Sequence, residues 1–413
     1  LREAAQLFGF SWWQRFRQLD LPAAALSLVW NSMMSVAGGW FFLMACETYV
    51  LGNRSFRLPG LGSYLAQAAA VDDWTAIALG LAAMVALIVL LDQLVWRPAI
   101  AWSQKFRSEQ IESGPSPASW ALGWWRRSRL LPWLGSRLAL LRLPLRRRPA
   151  PARQRRRHRA PWPPLLLRWS GRLLFFAACA AAVYGGGKLA ILLAGLTLSE
   201  IAQVGWSLAA TFARVAATLA IATAWTIPAG VAIGTRPRWA RLAQPLAQIA
   251  ASVPATALFP VLLLLLTAAG YGLGLGSILL MLMGTQWYIL FNVIAGAVAI
   301  HGDLKEAAAV FHFRRLDKWR RLILPGIFPY LLTGWVTAAG GAWNASIVAE
   351  YFQFRGHTLT TVGIGALISQ ATSEGNMHLL VASTLALAAL VTALNRLLWR
   401  PLYRLAARRF VWQ

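Results

Sequence analysis

Apolar residues run almost without interruption through eight stretches of the chain, near 22–50, 75–96, 171–197, 207–233, 243–268, 277–299, 326–352 and 377–399. About 20 mostly apolar residues, wound as a helix, cross the hydrocarbon of a bilayer. Each stretch is therefore predicted to be a membrane-spanning helix, and the longer ones must tilt or carry turns outside the bilayer. The polar positions gather in the segments between. Two of these segments read alike: EAAQLFGFSWWQRFRQLDLP at 3–22 and EAAAVFHFRRLDKWRRLILP at 306–325.

The likeness extends well beyond those segments. An offset of 303 positions, with no insertion, pairs Glu3 with Glu306, Phe8 with Phe311 and Leu21-Pro22 with Leu324-Pro325. It continues through Trp40/Trp343, Glu47/Glu350, Gly60/Gly363, Gly62/Gly365 and Gln67/Gln370, and ends on Trp96-Arg97-Pro98 against Trp399-Arg400-Pro401. A single register held this long points to a duplicated unit. Residues 1–98 are read as the C-terminal part of a first half with two membrane helices. Residues 169–413 are read as a complete second half with about six, and residues 99–168 as the linker. The chain opens at Leu1 inside the repeated passage, so further spans are expected to precede it.

The linker contains LRLPLRRRPAPARQRRRHRAPWPP at 141–164, rich in Arg and Pro, which has no apolar face to bury. It reads as a cytoplasmic segment that sets topology and is attracted to anionic headgroups. Nucleic-acid binding would call for aromatic residues among the cations, and this run has almost none.

Composition agrees with a membrane protein: 58% of the 413 residues are hydrophobic and 13% charged, against about a quarter charged in soluble domains. The formal charge of +26 is a matter of topology. With residues 1–21 on the cytoplasmic side, 35 of the 40 Lys and Arg fall inside; only Arg54, Arg57, Lys188 and Arg355 fall outside or at the outer edge, and Arg214 lies in or beside a span. That bias predicts a multi-pass protein with both termini in the cytoplasm. Cys46 and Cys179 both lie in apolar spans and imply neither a disulfide framework nor a thiolate metal site.

No pattern of enzyme chemistry emerges. GGGK at 185–188 has the end of a phosphate-cradling loop, but Ala182 stands at its leading glycine and Leu189 where Ser or Thr belongs. GYGLGLG, ending at Gly276, lies between two spans without a strand–helix context and reads as a tight turn. The five His are dispersed.

In the repeated passage, Asp303 stands three residues before Glu306, the spacing of a capped helix start. Ala307 to Ala309 favour helix and give a face of methyl groups on which another protein can dock closely, with Phe311 and Phe313 as anchors. Pro22 and Pro325 are expected to close each passage where the next span begins.

This pattern resembles the EAA loop of ABC importer permeases: Glu-Ala-Ala, three residues, Gly, nine residues, a hydrophobe, one residue, Leu-Pro. The first copy matches at Glu3, Ala4, Ala5, Gly9, Leu19, Leu21 and Pro22. The second matches at Glu306, Ala307, Ala308, Leu322, Leu324 and Pro325, with His312 in place of the glycine that makes the usual turn between the loop's two short helices. SVPATALFP at 252–260 and GTQWYILFNVIAG at 284–296 look like permeases of nitrate- and sulfonate-type importers, and the fused duplicate arrangement looks like the duplicated permease component of anion-type systems.

The resemblance implies an all-α polytopic bundle of the type I importer class, with about eight transmembrane helices here, in a bacterial-type inner membrane. It implies a translocation-pathway subunit, not an enzyme, for a small anion. ATP would be bound by separate ATPase subunits, two copies in all, and substrate delivered by an extracytoplasmic binding protein. Glu3, Ala4, Ala5, Gly9, Glu306, Ala307, Ala308, Phe311 and His312 would then belong to two coupling helices that the ATPases read.

Polar groups inside spans are costly and are pathway candidates by default. Gln286, Asn292 and Asn344, with Trp343 beside it, are such candidates, although each polar group equally suits a hydrogen bond to a neighbouring helix. Arg214 is attractive for an anion but stands near a span end. Glu350 and Glu47 stand at outer span ends, where an acid would repel an anion; a structural ion pair or a contact to a binding protein fits them better. The competing class, an ion-gradient-driven transporter or channel, would place acids or His deep in the spans, and almost none are there.

Overall fold

The structure is a computed structural model. It describes residues 9–41, 46–51, 54–71, 73–103, 165–236, 255–354 and 357–409, with scattered positions between 239 and 251. Glu3, Ala4 and Ala5, most of the linker and part of SVPATALFP lie outside the described residues. The chain divides into two units, residues 1–119 with 198–413 and residues 120–197. The second unit's described part is one helix, α6 (Leu165–Ala194). The linker boundary expected at 168/169 thus runs through a helix, and the unit boundary falls after Thr197. The Gly-Gly-Gly-Lys run lies inside α6 with open space around its glycines, so its backbone N–H groups face their own helix and cradle nothing.

In the larger unit, α1 (Trp12–Arg15) leads through a wide turn into α2 (Leu21–Phe41). A hairpin of β1 (Thr48–Leu51) and β2 (Arg54–Arg57) follows, then α3 (Leu61–Ala70), α4 (Trp74–Leu91), a second wide turn and α5 (Arg97–Ser103). After residue 198 come α7 (Leu198–Gly234), α8 (Ala255–Ala268) and α9 (Leu273–Ala299). The same order then recurs. Short helices α10 (Gly302–Val310) and α11 (Arg315–Lys318) precede α12 (Leu324–Ala349), the hairpin β3 (Tyr351–Phe354) and β4 (His357–Thr360), α13 (Ile364–Glu374), α14 (Met377–Leu394) and α15 (Arg400–Arg409).

The recurrence keeps the offset of 303. Thr48 pairs with Arg57 and Leu51 with Arg54 in one hairpin; Tyr351 pairs with Thr360 and Phe354 with His357 in the other. Among the described residues, six helical segments are long and apolar enough to cross a membrane: 74–103, 173–194, 198–234, 273–299, 315–349 and 377–409. The other two predicted windows, 22–50 and 243–268, are represented by α2 and α8, and parts of both windows lie outside the described residues.

Four wide turns have a common cause. Leu21, Arg97, Leu324 and Arg400 each donate a backbone bond to the carbonyl five residues back, at Phe16, Asp92, Trp319 and Asn395. Each is followed at once by a proline: Pro22, Pro98, Pro325 or Pro401. Proline lacks an N–H, and its ring collides with the carbonyl four residues back. Widening the preceding turn by one residue relieves the clash and lets the helix run on. Pro22 and Pro325 therefore do not close their passages as expected; the helix passes through them into the span. Pro228 and Pro329 lie inside α7 and α12, so proline alone does not dictate a wide turn. The four turns stand where a polar segment meets an apolar one.

The core is a three-helix packing of α9 against α12 and α7. Between helices in lipid, apolar burial itself drives little, and close van der Waals contact does more. Small residues make that contact here. A side chain at Gly334 would meet the Ile289 Cα at 3.1 Å, and one at Gly296 would meet the Ile327 Cα at 3.1 Å. Around these crossings Ile289, Val293, Ile327 and Leu331 form one buried cluster, and Phe259, Leu280, Met281 and Trp343 another.

Candidate functional site

At the end of the bundle where α12 begins, α10 ends in a left-handed residue. Phe313 N–H donates to Ala308 O and His312 N–H to Ala309 O, both at 3.0 Å, the paired bonds of a Schellman C-cap. The residue that must turn left-handed is His312, with φ of 51°. Its counterpart Gly9 has φ of 65°. The turn that glycine makes in the first copy is therefore kept in the second, where histidine adopts a conformation that most L-residues avoid. The first copy adds what the second lacks: Ser11 and Gln14 form a reciprocal capping box at the start of α1, whereas Arg314, the equivalent of Ser11, makes no side-chain cap.

The cap predicted from Asp303 is not where the helix starts. His301 is the N-cap of α10, with no side-chain bond, and Asp303 lies in the first turn, where a carboxylate suits the positive end of the helix dipole. Glu306 is exposed, Ala307 half-buried and Ala308 buried. The methyl face therefore turns partly inward, and the face presented outward is Val310 and Phe311, about three-quarters exposed, with Leu316 on α11. In the first copy the outward side chains are Trp12 and Trp13, packed ring on ring with Phe16. Lys305 sits behind this surface, where burial first, and Lys318 second, hold its ammonium below the usual lysine range.

At the opposite end of α12 lies a buried polar knot. Glu350 caps the helix C-terminus and is fully buried. Arg214 of α7 donates to its carboxylate at 2.8 Å and to the Thr361 hydroxyl at 2.9 Å. Thr211 donates to both carboxylate oxygens at 2.8 and 2.9 Å and accepts from the Ile364 N–H at 2.8 Å; the Gly365 N–H donates to the carboxylate at 2.9 Å. Glu350 thus holds the N-terminus of α13 and the strand end against α7. This is the structural ion pair, and it gives Arg214 a different role from the pathway contact expected: its guanidinium is engaged by Glu350 and Thr361. A side chain at Gly363 would overlap the Glu350 carboxylate.

The remaining candidates separate. Trp343 is buried and stacks on Phe212 at 6.4 Å between ring centroids, so it belongs to the core. Asn292 donates to Tyr288 O at 2.8 Å within its own helix, and Gln286 is half-buried on α9. Asn344 is exposed, and it is not alone. Tyr330, Thr333, Thr337, Gly340 and Asn344 make one exposed stripe along α12, at alternating spacings of three and four, while Ile327, Leu331, Ala338, Ala342 and Ala349 are buried behind it. Thr333 and Thr337 also bond back to the carbonyls of Pro329 and Thr333. The sequence singles out Asn344 because an amide in a span stands out; the rest of the stripe emerges only when polar and small residues are counted at helical period. Among the described residues no group of His, Cys, Asp or Glu is arranged to hold a metal ion.

Residues 226–410, which contain the turn at His312 and the buried Glu350 but not Thr211 or Arg214, match the model of the family described as binding-protein-dependent transport system inner membrane component. The nitrate import permease protein NrtB of Leptolyngbya laminosa is 30% identical over 171 residues, 41% of this chain and 58% of that protein. The bicarbonate transport system permease protein CmpB of Synechocystis sp. is 26% identical over 191 residues, 46% of this chain and 65% of that protein. The taurine transport system permease protein TauC of Escherichia coli is 27% identical over 165 residues, 40% and 56% of the two chains. The matches span less than two thirds of each of these three relatives. Over residues 226–410 the chain is thus similar to the inner membrane components of binding-protein-dependent transport systems, and the relatives it matches there are named as permeases.

Proposed function

We propose that the chain is the fused, duplicated permease of an ATP-driven importer for a small anion. Residues 1–98 and 169–413 contribute to two related halves, joined by the linker at 99–168. Both termini lie in the cytoplasm, as does the loop between α9 and α12. The chain carries no nucleotide site of its own. Two ATPase subunits bind ATP and read the two EAA passages, Glu3, Ala4, Ala5 and Gly9 in one and Glu306, Ala307, Ala308, Phe311 and His312 in the other. An extracytoplasmic binding protein delivers the substrate at the hairpin end.

The observation that carries this reading is the recurrence of one left-handed turn, at Gly9 and at His312, each beside large exposed apolar side chains and each joined to a span through a wide turn. Exposed Phe, Trp and Leu on short helices at the polar end of a bundle suit a protein partner. The wide turns are compact joints through which motion of a docked helix passes to the span behind it. The anion is favoured by what the relatives are named for: nitrate, bicarbonate and taurine. With Arg214 engaged by Glu350, the substrate would pass along the uncharged α12 stripe, where Asn344 offers an amide donor.

The test is uptake by cells carrying the full-length parent chain. Glu306→Arg and Phe311→Ala both lie on exposed positions, so membrane insertion is expected to be normal. Uptake should fall to background for the first and severalfold for the second, with loss of the co-purifying ATPase. Normal uptake by Glu306→Arg would overturn the coupling role. Asn344→Leu should slow uptake while the ATPase remains bound.

A further inference from the structure

The last helix carries a second charged surface that the coupling passages do not use. Segment 377–409 is 33 residues of helix, about 50 Å long at 1.5 Å per residue, against a hydrocarbon core of about 30 Å. The apolar part, α14, is consumed in crossing; the remainder begins at the wide turn. There Arg396, Arg400, Arg404 and Arg408 recur every fourth residue, all exposed, with Arg409 beside them. The packed side of α15 is marked by buried Ala406, on the far side of the helix from Arg404. Like charges at this spacing repel and weaken a helix. Yet none of the five arginines has an ion pair among the described residues. The neighbouring α12, which packs against α15, has no acid along its length.

The first copy shows how the same place is neutralised within a chain. Arg97, the counterpart of Arg400, pairs with Asp92 at 2.9 Å. The counterpart of Asp92 is Asn395, so the second copy keeps the cation and lacks the acid. Apolar side chains are interleaved with the arginines: Leu397 is 79% exposed, and Leu398, Tyr403 and Leu405 are about two-fifths exposed. Free cations alternating with exposed Leu and Tyr at the end of a membrane span suit the boundary between headgroups and acyl chains, and water suits them poorly.

We propose that Arg396, Arg400, Arg404 and Arg408 form a binding site for anionic phospholipid, their guanidinium groups on the phosphodiesters and Leu397 and Leu398 against the acyl chains. Planar guanidinium groups bind phosphate through paired N–H bonds, which suits Arg at all four positions. The first copy offers Gln93, Arg97, Ala101 and Lys105 at the equivalent positions, two cations where the second has four, with Arg97 paired to Asp92, and should hold such lipid less tightly.

The test uses the whole chain reconstituted in phosphatidylcholine with a minor fraction of phosphatidylglycerol, followed by mild extraction and mass spectrometry of the lipid that stays bound. Wild type should retain phosphatidylglycerol well above its bulk fraction. Changing all four arginines to Gln should lower that enrichment by about tenfold. Changing them to Lys should lower it only partly, and changing Arg146, Arg147, Arg148 and Arg153 of the linker to Gln should lower it clearly less than the change to Gln in the ladder does, because the linker attracts headgroups without holding them in a site. Unchanged enrichment in the ladder variant, or an equal loss in the linker variant, overturns the site. If the fourfold variant does not fold, Arg404→Gln and Arg408→Gln singly, with a salt titration of the wild type, decide the matter. Enrichment indifferent to both means that the lipid is not held by these charges. An acidic protein lost from the variant, with lipid unchanged, would assign the surface to that protein.

Discussion

Glu47 and Glu350 hold the same post in the two copies, and within residues 1–413 they have different sets of partners. Each stands just before a hairpin, each accepts from backbone N–H groups at the start of the following short helix, and each lies against a glycine, Gly60 or Gly363, that leaves room for the carboxylate. Glu47 takes the N–H groups of Gly62 at 2.7 Å and Ser63 at 3.0 Å and remains half-exposed. Glu350 is sealed from solvent and has Arg214 and Thr211 as well. Backbone geometry is therefore shared, and the second copy adds Arg214 and Thr211 from α7, a helix that has no counterpart within residues 1–98. A carboxylate at a helix N-terminus suffices as a local cap; once it is fully buried it requires a cation and further donors.

The largest expected effect comes from removing the buried acid. Glu350→Ala leaves Arg214 uncompensated and should destabilise the chain by about 3–5 kcal/mol, the range for breaking a buried pair from one side. Glu47→Ala removes a cap held by the Gly62 and Ser63 N–H groups and, with those two bonds alone, should cost about 1 kcal/mol. Thermal unfolding of the purified variants measures both, and equal costs would break the contrast. The double variant Arg214→Met, Glu350→Gln should recover much of the loss, because the orphaned charge is then gone. Next come the glycines. Gly363→Ala drives a methyl group into a carboxylate that three donors, Thr211, Arg214 and the Gly365 N–H, hold in place, so about 2–3 kcal/mol is expected, as for overpacking a core. At Gly60 the same change meets a Glu47 that can swing toward solvent, and the cost should be clearly smaller. A Gly60 effect as large would mean that Glu47 is as firmly held as Glu350.

Much of this architecture was legible in the chain, for reasons that can be named. Spans show as long apolar runs because lipid accepts little else, and the copies align because their backbones must make the same turns. The Glu47/Glu350 and Gly60/Gly363 pairs mark a carboxylate and the space made for it, but nothing local announces Arg214, which is 136 residues from Glu350 and meets it only when α7 packs on α12. Trp343 has the composition of a pathway residue and the place of a core residue; which face it takes is decided by the packing of α12 on its neighbours. The α12 stripe escaped notice because threonine and glycine are ordinary in membrane helices and acquire meaning only through shared exposure. The wide turns went unread because a Pro inside an apolar run normally signals an end, and the relief supplied by one extra residue leaves no mark in composition.

The smallest difference between the copies isolates a single backbone angle. Gly9 and His312 both adopt positive φ, at 65° and 51°, and glycine does so without the side-chain clash that histidine meets. His312→Gly removes that clash while making the chain more flexible when unfolded, two effects that oppose each other. Because the left-handed penalty is about 1–2 kcal/mol and the added flexibility amounts to about 0.5–1 kcal/mol, a net gain of about 0.5–1 kcal/mol is expected. Gly9→Ala should lose about 1 kcal/mol in the first copy. Thermal unfolding again reads both signs. A His312→Gly variant that is more stable yet imports more slowly would show that the imidazole is kept for contact with the partner that docks on Phe311. One that is more stable and imports normally would make His312 a tolerated departure in a turn that belongs to glycine.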